Sequence, residues 1–139
     1  MRRLYVDSSA FLALFRRSDG RHADVLAHFQ GLRRRRCALV TSEAVMVETA
    51  TRLRYDLGLG ATLEFRDNVV AGVADGTFTL RESTAGLRAA AFGVMEENPR
   101  LRPSYADCMG VAVARDEEVD AVFGLDTDFR ELGFRLEPG

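Results

Sequence analysis

The sequence contains no lysine, only two cysteines and three prolines among 139 residues, and no long apolar run. Cys37 and Cys108 are too few and too far apart for a disulfide framework or a zinc site. No segment approaches the roughly 18 consecutive apolar residues that a membrane helix needs. The apolar N-terminal stretch is interrupted by Asp7 and closed by Arg16 and Arg17, which argues against a secretory signal. We therefore expect a folded cytoplasmic protein that does not contact membranes.

All 19 basic side chains are arginine, and the formal net charge is −2. This balance argues against a protein that coats nucleic acid. Arginine is nevertheless the better bidentate ligand for phosphate. If the acids cluster in one pocket, the remaining surface is more basic than the sum indicates. The absence of lysine also weighs against phosphatase-like and receiver-like domains, which combine a nucleophilic aspartate with a lysine.

Short apolar segments alternate with amphipathic ones along the whole chain. We predict strands at residues 4–6, 37–40, 77–80, 121–123 and 134–136. We predict helices from Ser8 or Ser9 to before Ser18, over residues 23–32, from Thr41 or Ser42 to about 57, and over 61–73, 84–97 and 103–115. This alternation predicts a single α/β domain over residues 1–139, a three-layer α/β/α sandwich with a mostly parallel central sheet.

Acidic residues follow the ends of these predicted elements. Asp7 ends the first strand, and Asp126 and Asp128 follow the fourth. Glu48 lies in the helix after the second strand, and Asp107 lies in the first turn of the sixth helix. If the strands are parallel, these positions converge on one edge of the sheet, where open α/β sheets bind ligands.

Several carboxylates in one crevice cannot all stay ionised without a cation. A site of oxygen ligands without histidine or cysteine suits Mg²⁺, with Mn²⁺ as a possible substitute. Such ions generate hydroxide from water and stabilise the oxygens of a phosphodiester displacement. The acids therefore predict a metal site that hydrolyses phosphodiesters.

Three stretches, VDSSAFLAL, TSEAVMVETATRL and SYADCMGVAVARDEEVDAVFGLDTDF, are spread over almost the whole chain. In order and spacing they resemble the PIN-domain ribonucleases, and most of all the VapC-type toxins of bacterial toxin–antitoxin pairs. The resemblance implies a PIN-like fold and a catalytic, metal-binding quartet of Asp7, Glu48, Asp107 and Asp126. It also implies a fifth metal-binding acid at Asp128 and a supporting hydroxyl at Ser9.

One position departs from the family pattern. Many members have threonine or serine two residues before the last acidic cluster, where this chain has Gly124. Thr127 lies close in sequence, and we expect it to supply the missing hydroxyl.

The resemblance further implies an endoribonuclease that acts on RNA, a small antitoxin whose tail covers the acidic pocket, and a homodimer. A hypothesis from another class is a catalytically weak or inactive PIN-like module that binds RNA or protein without cutting. Gly124 is its only support in the sequence.

Several of these residues also have purely structural interpretations. Glu48 could form an exposed pair with Arg52 at i+4, and Asp107 could cap its own helix together with Ser104. Asp128 could cap a short turn at residues 129–132. The basic run of Arg33, Arg34, Arg35 and Arg36 is either a substrate-binding patch for RNA or a solvated loop.

Overall fold

The computed structural model describes residues 1–139, which form five strands and seven helices. The strands are β1 (Arg3–Val6), β2 (Ala38–Ser42), β3 (Phe78–Arg81), β4 (Ala121–Gly124) and β5 (Leu136–Pro138). The helices are α1 (Ser8–Phe15), α2 (His22–Arg34), α3 (Glu43–Asp56), α4 (Leu59–Ala74), α5 (Ala85–Glu97), α6 (Tyr105–Asp116) and α7 (Asp128–Glu131). None of the helices has the length and hydropathy needed to cross a lipid bilayer.

The five strands form one sheet in the order β3-β2-β1-β4-β5. Every neighbouring pair is parallel, so the predicted mostly parallel sheet is entirely parallel. In the centre, Leu4 of β1 is paired with Leu39 of β2 on one side and with Ala121 of β4 on the other. The apolar runs seen in the sequence belong to these inner strands, which are covered on both faces.

Helices cover both faces of the sheet, as the predicted three-layer sandwich requires. On one face, Phe29 of α2 stacks near Phe78 of β3 and Phe123 of β4, with ring centroids 6.1 and 6.4 Å apart. On the other face, Tyr5 of β1 packs against α6 at Gly110. A Cβ on Gly110 would lie 2.9 Å from the Tyr5 ring, so only glycine lets the helix approach this closely.

The order of the strands places a switch point beside β1. The chain moves from β1 outward to β2 and β3, then crosses to β4 on the other side of β1. In such sheets the crevice outside the carboxyl ends of the two diverging strands is the usual ligand site. Here these ends are joined directly, because the Asp7 amide donates to the Phe123 carbonyl at 3.0 Å.

Three predicted strands agree with the structure to within one residue at each end, and the other two, β2 and β5, differ by two residues. β2 extends to Ser42, because Thr41 and Ser42 pair with β3. β5 begins at Leu136 and not at residue 134. The amide of Phe134 instead donates to the Phe129 carbonyl at 2.9 Å after a turn at Gly133 with φ 97°. That hydrogen bond closes the turn after α7 and delays the strand.

Two predicted helix limits are also corrected. Only Leu57 and Gly58, the latter with φ 94°, separate α3 from α4, and Gly60 lies inside the first turn of α4. Pro103 is not the first helical residue of α6, because Ser104 is its N-cap. The predicted capping box between Ser104 and Asp107 is confirmed.

Candidate active site

Asp7 is the buried member of the acidic group, with 4% of its surface exposed. It ends β1 and is itself the N-cap of α1, a role predicted for Ser8 or Ser9. Its Oδ2 accepts hydrogen bonds from the Ser9 amide at 3.2 Å and from the Ser9 hydroxyl at 2.7 Å. The carboxylate is therefore held in one orientation at the end of the strand.

Ser9 connects the two central strand ends. Besides donating to Asp7, its hydroxyl accepts a hydrogen bond from the Leu125 amide at 2.8 Å. A Cβ on Gly124 would lie 3.0 Å from both the Asp7 Cβ and the Ser9 Oγ. Because Ser9 fills this space, residue 124 has no room for a side chain. Thr127 is exposed and its hydroxyl makes no hydrogen bond, so Ser9 occupies the place expected for Thr127.

Glu48 lies half-buried on α3 and faces the same crevice. Its Oε2 accepts a hydrogen bond from the Ser8 hydroxyl at 3.0 Å, and it forms no ion pair with Arg52. Ser8 was not among the predicted site residues. The two adjacent serines at the start of α1 thus each hold one acid, a division that only the packing of α1 against α3 reveals.

Asp107 both caps its helix and faces the acids. Its amide donates to the Ser104 hydroxyl at 3.1 Å, and its Oδ2 accepts from the Ser104 amide at 3.4 Å. Asp107 therefore does cap its helix together with Ser104, as the structural interpretation expected. It uses only Oδ2, and Oδ1 of this half-buried side chain makes no hydrogen bond.

Asp126 and Asp128 follow β4 and differ in their contacts. Asp126 Oδ1 accepts a hydrogen bond from the Asp128 amide at 2.9 Å, which orders the turn that opens α7. Asp128 is the first residue of α7, and its own carboxylate makes no hydrogen bond. Both side chains are half-buried, and each has at least one carboxylate oxygen free to bind a ligand.

The acids influence one another through space. Burial raises the pKa of Asp7 to about 6, against the lowering effect of the Ser9 hydrogen bonds, and the charges of Asp107 and Glu48 add to the rise. The pKa of Asp107 is raised by burial and then by the charge of Asp126. Because these charges raise the pKa of Asp7 and of Asp107, the four predicted acids lie close together in one crevice. We call the set of Asp7, Glu48, Asp107, Asp126 and Asp128 the acid crevice.

No arginine neutralises the acid crevice. None of its five carboxylates belongs to a salt bridge anywhere in the chain. As the side chains stand, no three or more aspartate, glutamate, histidine or cysteine residues are close enough together to hold a metal ion. The donors are all oxygen and lack a cation, so their chemistry fits Mg²⁺ or Mn²⁺.

The arginine run lies at the other end of the sheet. Arg33 and Arg34 end α2 and residues 35 and 36 precede β2, so all four lie near the amino ends of the strands. The acid crevice lies beyond the carboxyl ends. The structure therefore does not bring these arginines to the acids.

The chain is an all-parallel α/β domain with a crevice of unpaired acids at its switch point. This arrangement is typical of α/β proteins whose site lies at the edge of the sheet and suits phosphodiester chemistry. The model of the PIN domain family matches residues 4–135. The chain belongs to the PIN domain family. None of the curated proteins compared with the chain matches it in sequence.

A solved structure agrees with this assignment. The crystal structure of Mycobacterium tuberculosis VapC20, described as a sarcin–ricin loop cleaving toxin, superposes on the chain with a TM-score of 0.79. The two sequences are 26% identical over 94% of this chain and 95% of that one. The predicted likeness to PIN-domain ribonucleases of the VapC type is confirmed, and it supports a nuclease activity.

Proposed function

We propose that this protein is a Mg²⁺- or Mn²⁺-dependent endoribonuclease that hydrolyses RNA phosphodiester bonds. Asp7, Glu48, Asp107 and Asp126 would be its catalytic, metal-binding residues, and Asp128 an accessory ligand. The observation that carries the proposal is the acid crevice itself. Acids from the ends of β1 and β4 and from α3 and α6 face one another with no arginine between them.

When bound, Mg²⁺ or Mn²⁺ supplies Lewis-acid stabilisation of the charge that develops on a phosphodiester during displacement. The chain's own contribution is to orient the ligands. Ser9 fixes the Asp7 carboxylate, and Ser8 fixes that of Glu48. Two of the ligands are thus oriented in advance, which limits the rearrangement that the site must make to bind an ion.

No side chain near the acids is set up as a covalent nucleophile. The two histidines contact the Ala13 carbonyl and Glu137, away from the crevice. Cys108 is fully buried, and the Ser9 hydroxyl is already engaged by Asp7 and Leu125. These contacts support direct attack by water on the scissile phosphate, without a covalent intermediate.

We also propose that the protein acts as the toxin of a toxin–antitoxin pair and forms a homodimer. The similarity to VapC20 supports the role, and the hairpin of α3 and α4 offers a surface for a partner. Tyr55, Leu57 and Leu59 at that hairpin are 85, 48 and 56% exposed. Exposed apolar groups of this size are typical of an interaction surface.

The catalytic assignment is tested with Asp7→Asn and Asp107→Asn. Each keeps the side-chain shape and removes a metal-binding charge, so we expect cleavage of RNA with Mn²⁺ to fall by at least about 100-fold. Circular dichroism should show an unchanged fold. Asp24→Asn, at an exposed acid on α2, is the matched control and should retain activity. Full activity in either crevice variant would rule out this assignment.

A second candidate is the binding module that holds RNA or protein without cutting. The wide spacing of the acids favours it, whereas Gly124 no longer does, because Ser9 fills the adjacent space. Calorimetric titration with Mn²⁺ separates the two candidates. A nuclease should bind the ion in a manner that Asp7→Asn and Asp126→Asn weaken, and an inert module should show no binding above background.

A further inference from the structure

The run of Arg33, Arg34, Arg35 and Arg36, here called the arginine turn, is the largest group of unpaired charge outside the acid crevice. All four side chains are exposed. None belongs to a salt bridge, although nine other arginines of the chain do. The negative end of the α2 dipole favours Arg33 and Arg34 in its last turn, whereas Arg35 and Arg36 lie beyond the helix and add like charge without a partner.

The backbone of the arginine turn is fixed on both sides. The Arg36 amide donates to the Arg33 carbonyl at 3.0 Å, and the Cys37 amide donates to the buried Leu32 at 3.0 Å. The next amide, that of Ala38, donates to Arg2 of the neighbouring strand at 2.8 Å. The guanidinium groups therefore extend from a rigid support, which reduces the entropy lost when they bind a ligand.

Arg36 itself is an unfavourable choice for the fold. Its φ of 53° lies in the left-handed region that glycine and asparagine tolerate best. The left-handed turn belongs to the C-terminal cap of α2, in which the Cys37 amide donates to the Leu32 carbonyl, and glycine would adopt it at lower cost than arginine.

The neighbouring acid does not neutralise the arginine turn. Asp75 is a carboxylate that the charge of Arg33 influences. Its pKa is lowered mainly by hydrogen bonds from Thr77, and the charge of Arg33 makes the smallest contribution. Arg34, Arg35 and Arg36 are left without an anion. Each guanidinium is a planar fork that matches two oxygens of a phosphate.

We propose that the arginine turn is a second RNA-binding site, distinct from the acid crevice, which contacts phosphates of the substrate far from the scissile bond. This inference rests on the proposed function, since the RNA it holds is the RNA that the crevice would cut. The five-residue strand β2 separates the two sites by roughly 16 Å at about 3.3 Å per residue. A stacked helix advances about 3.4 Å along its axis per phosphate of one strand, so a stacked RNA must extend about five nucleotides from the cut to reach both.

The consequence is a preference for long or folded RNA. A short oligonucleotide that fills only the crevice gains nothing from the arginine turn. A folded RNA that wraps from one end of the sheet to the other gains three phosphate contacts. The site thus discriminates substrates by their extent and shape, not by their base sequence.

The test compares two triple variants with the same loss of charge. One is Arg34→Gln, Arg35→Gln and Arg36→Gln. The other, the control, is Arg21→Gln, Arg66→Gln and Arg115→Gln, which removes three exposed arginines that pair locally. Binding of a folded RNA hairpin is measured by fluorescence anisotropy in EDTA, which prevents cleavage, over a series of salt concentrations.

We expect the slope of log affinity against log salt to become shallower by about 2 in the arginine-turn variant, from about 0.7 per phosphate lost. Between about 50 and about 200 mM salt, this corresponds to a roughly 16-fold smaller loss of affinity than for the wild type. The control should keep the wild-type slope. Equal slopes for the two variants would overturn the inference. Polyglutamate, an acidic polymer without phosphate, serves as a second probe. An arginine-turn variant that loses affinity for polyglutamate but not for RNA would also overturn the inference.

Failure of this site and failure of the proposed activity give different results. The binding measurement contains no metal and does not depend on cleavage. Conversely, cleavage of a short oligonucleotide with Mn²⁺ depends on the acid crevice and should be unchanged in the arginine-turn variant. A variant that cuts the short oligonucleotide normally and binds the hairpin like the control would leave the nuclease standing without the second site.

Discussion

The two ends of the central sheet carry opposite and unbalanced charge. Beyond the carboxyl ends of the strands lie five carboxylates without a cation, and at the amino ends lie four arginines without an anion. The net charge of −2 conceals this separation. Single charges without a salt bridge, such as Arg88 and Glu82, occur elsewhere, but each of these two ends gathers at least four of one sign. This concentration is the basis of the two proposals, a metal ion at one end and phosphates at the other.

The ends differ in how they carry their charge. The acid crevice is partly buried, so ionising it in the absence of metal opposes folding. The arginine turn is exposed, where water and salt screen its repulsion. The acid crevice should therefore affect stability more strongly than the arginine turn. Four sets of substitutions test this comparison.

The largest stability effect is expected at Asp7. Its pKa in the folded protein is about 6 against 3.8 for the free side chain, so the folded state binds the proton more tightly than the unfolded state. Stability without metal is therefore highest below about pH 4, falls as the pH rises to about 6, and stays low above it. Asp7→Asn should stabilise the protein by up to about 3 kcal/mol above pH 6 and have little effect near pH 4.

Denaturant unfolding in EDTA at these two pH values measures the difference. Asp24→Asn, at an exposed acid, should leave stability unchanged at both. An Asp7→Asn variant that is no more stable than the wild type at neutral pH would show that the crevice does not oppose folding. Added Mg²⁺ should narrow the gap, because it stabilises the wild type alone.

A second, smaller effect is expected at Gly124. In Gly124→Ala the new methyl group would lie 3.0 Å from the Asp7 Cβ and the Ser9 Oγ. We expect a loss of about 1–3 kcal/mol in stability from overpacking, together with a loss of activity of about 10–100-fold as Asp7 is displaced. Gly60→Ala in α4 is the control. Its Cβ meets nothing within 4 Å, and it should stabilise the helix by about 0.5–1 kcal/mol.

A double variant shows whether Ser9 takes the place of a hydroxyl at position 124. Gly124→Ser alone should be impaired, because its Cβ meets the Ser9 hydroxyl. Combined with Ser9→Ala, it should recover part of the lost activity, and a double-mutant cycle would give a coupling of about 0.5–3 kcal/mol. Strictly additive effects would show that the two positions act independently.

The crevice also shows what sequence reasoning can and cannot reach. Asp7, Asp126 and Asp107 could be placed from the sequence, because strand ends and a capping box have local patterns. The link from Ser8 to Glu48 could not, since the two residues are 40 positions apart and meet only when α1 packs against α3. Gly124 was interpreted as a missing hydroxyl for the same reason: Ser9 was expected to support Asp7, but its contact with the space beside Gly124 joins residues far apart in the sequence.

The fold was predictable to a similar extent. Alternating apolar segments indicated the parallel sheet, but β5 was placed two residues early because a hydrogen bond from Phe134 to Phe129 competes with the strand. The sequence left the arginine turn open between a substrate-binding patch and a solvated loop. The arginine turn precedes a strand, whereas the acids follow strands. In a parallel sheet these two positions lie at opposite ends, so its location could have been assigned from the sequence.

The smallest effect is expected at Arg36, where the comparison between the two ends is most direct. With φ at 53°, Arg36→Gly removes the left-handed strain and should stabilise the protein by about 1 kcal/mol. Arg34→Gly is the control: Arg34 ends α2, so glycine there should destabilise by up to about 1 kcal/mol while removing the same charge. Opposite signs in denaturant unfolding would show that Arg36 is retained despite its effect on folding, as Asp7 is at the other end. If Arg36→Gly is also destabilising, Arg36 contributes to the stability of the fold. The two ends would then differ in sign, since Asp7 opposes folding and Arg36 supports it.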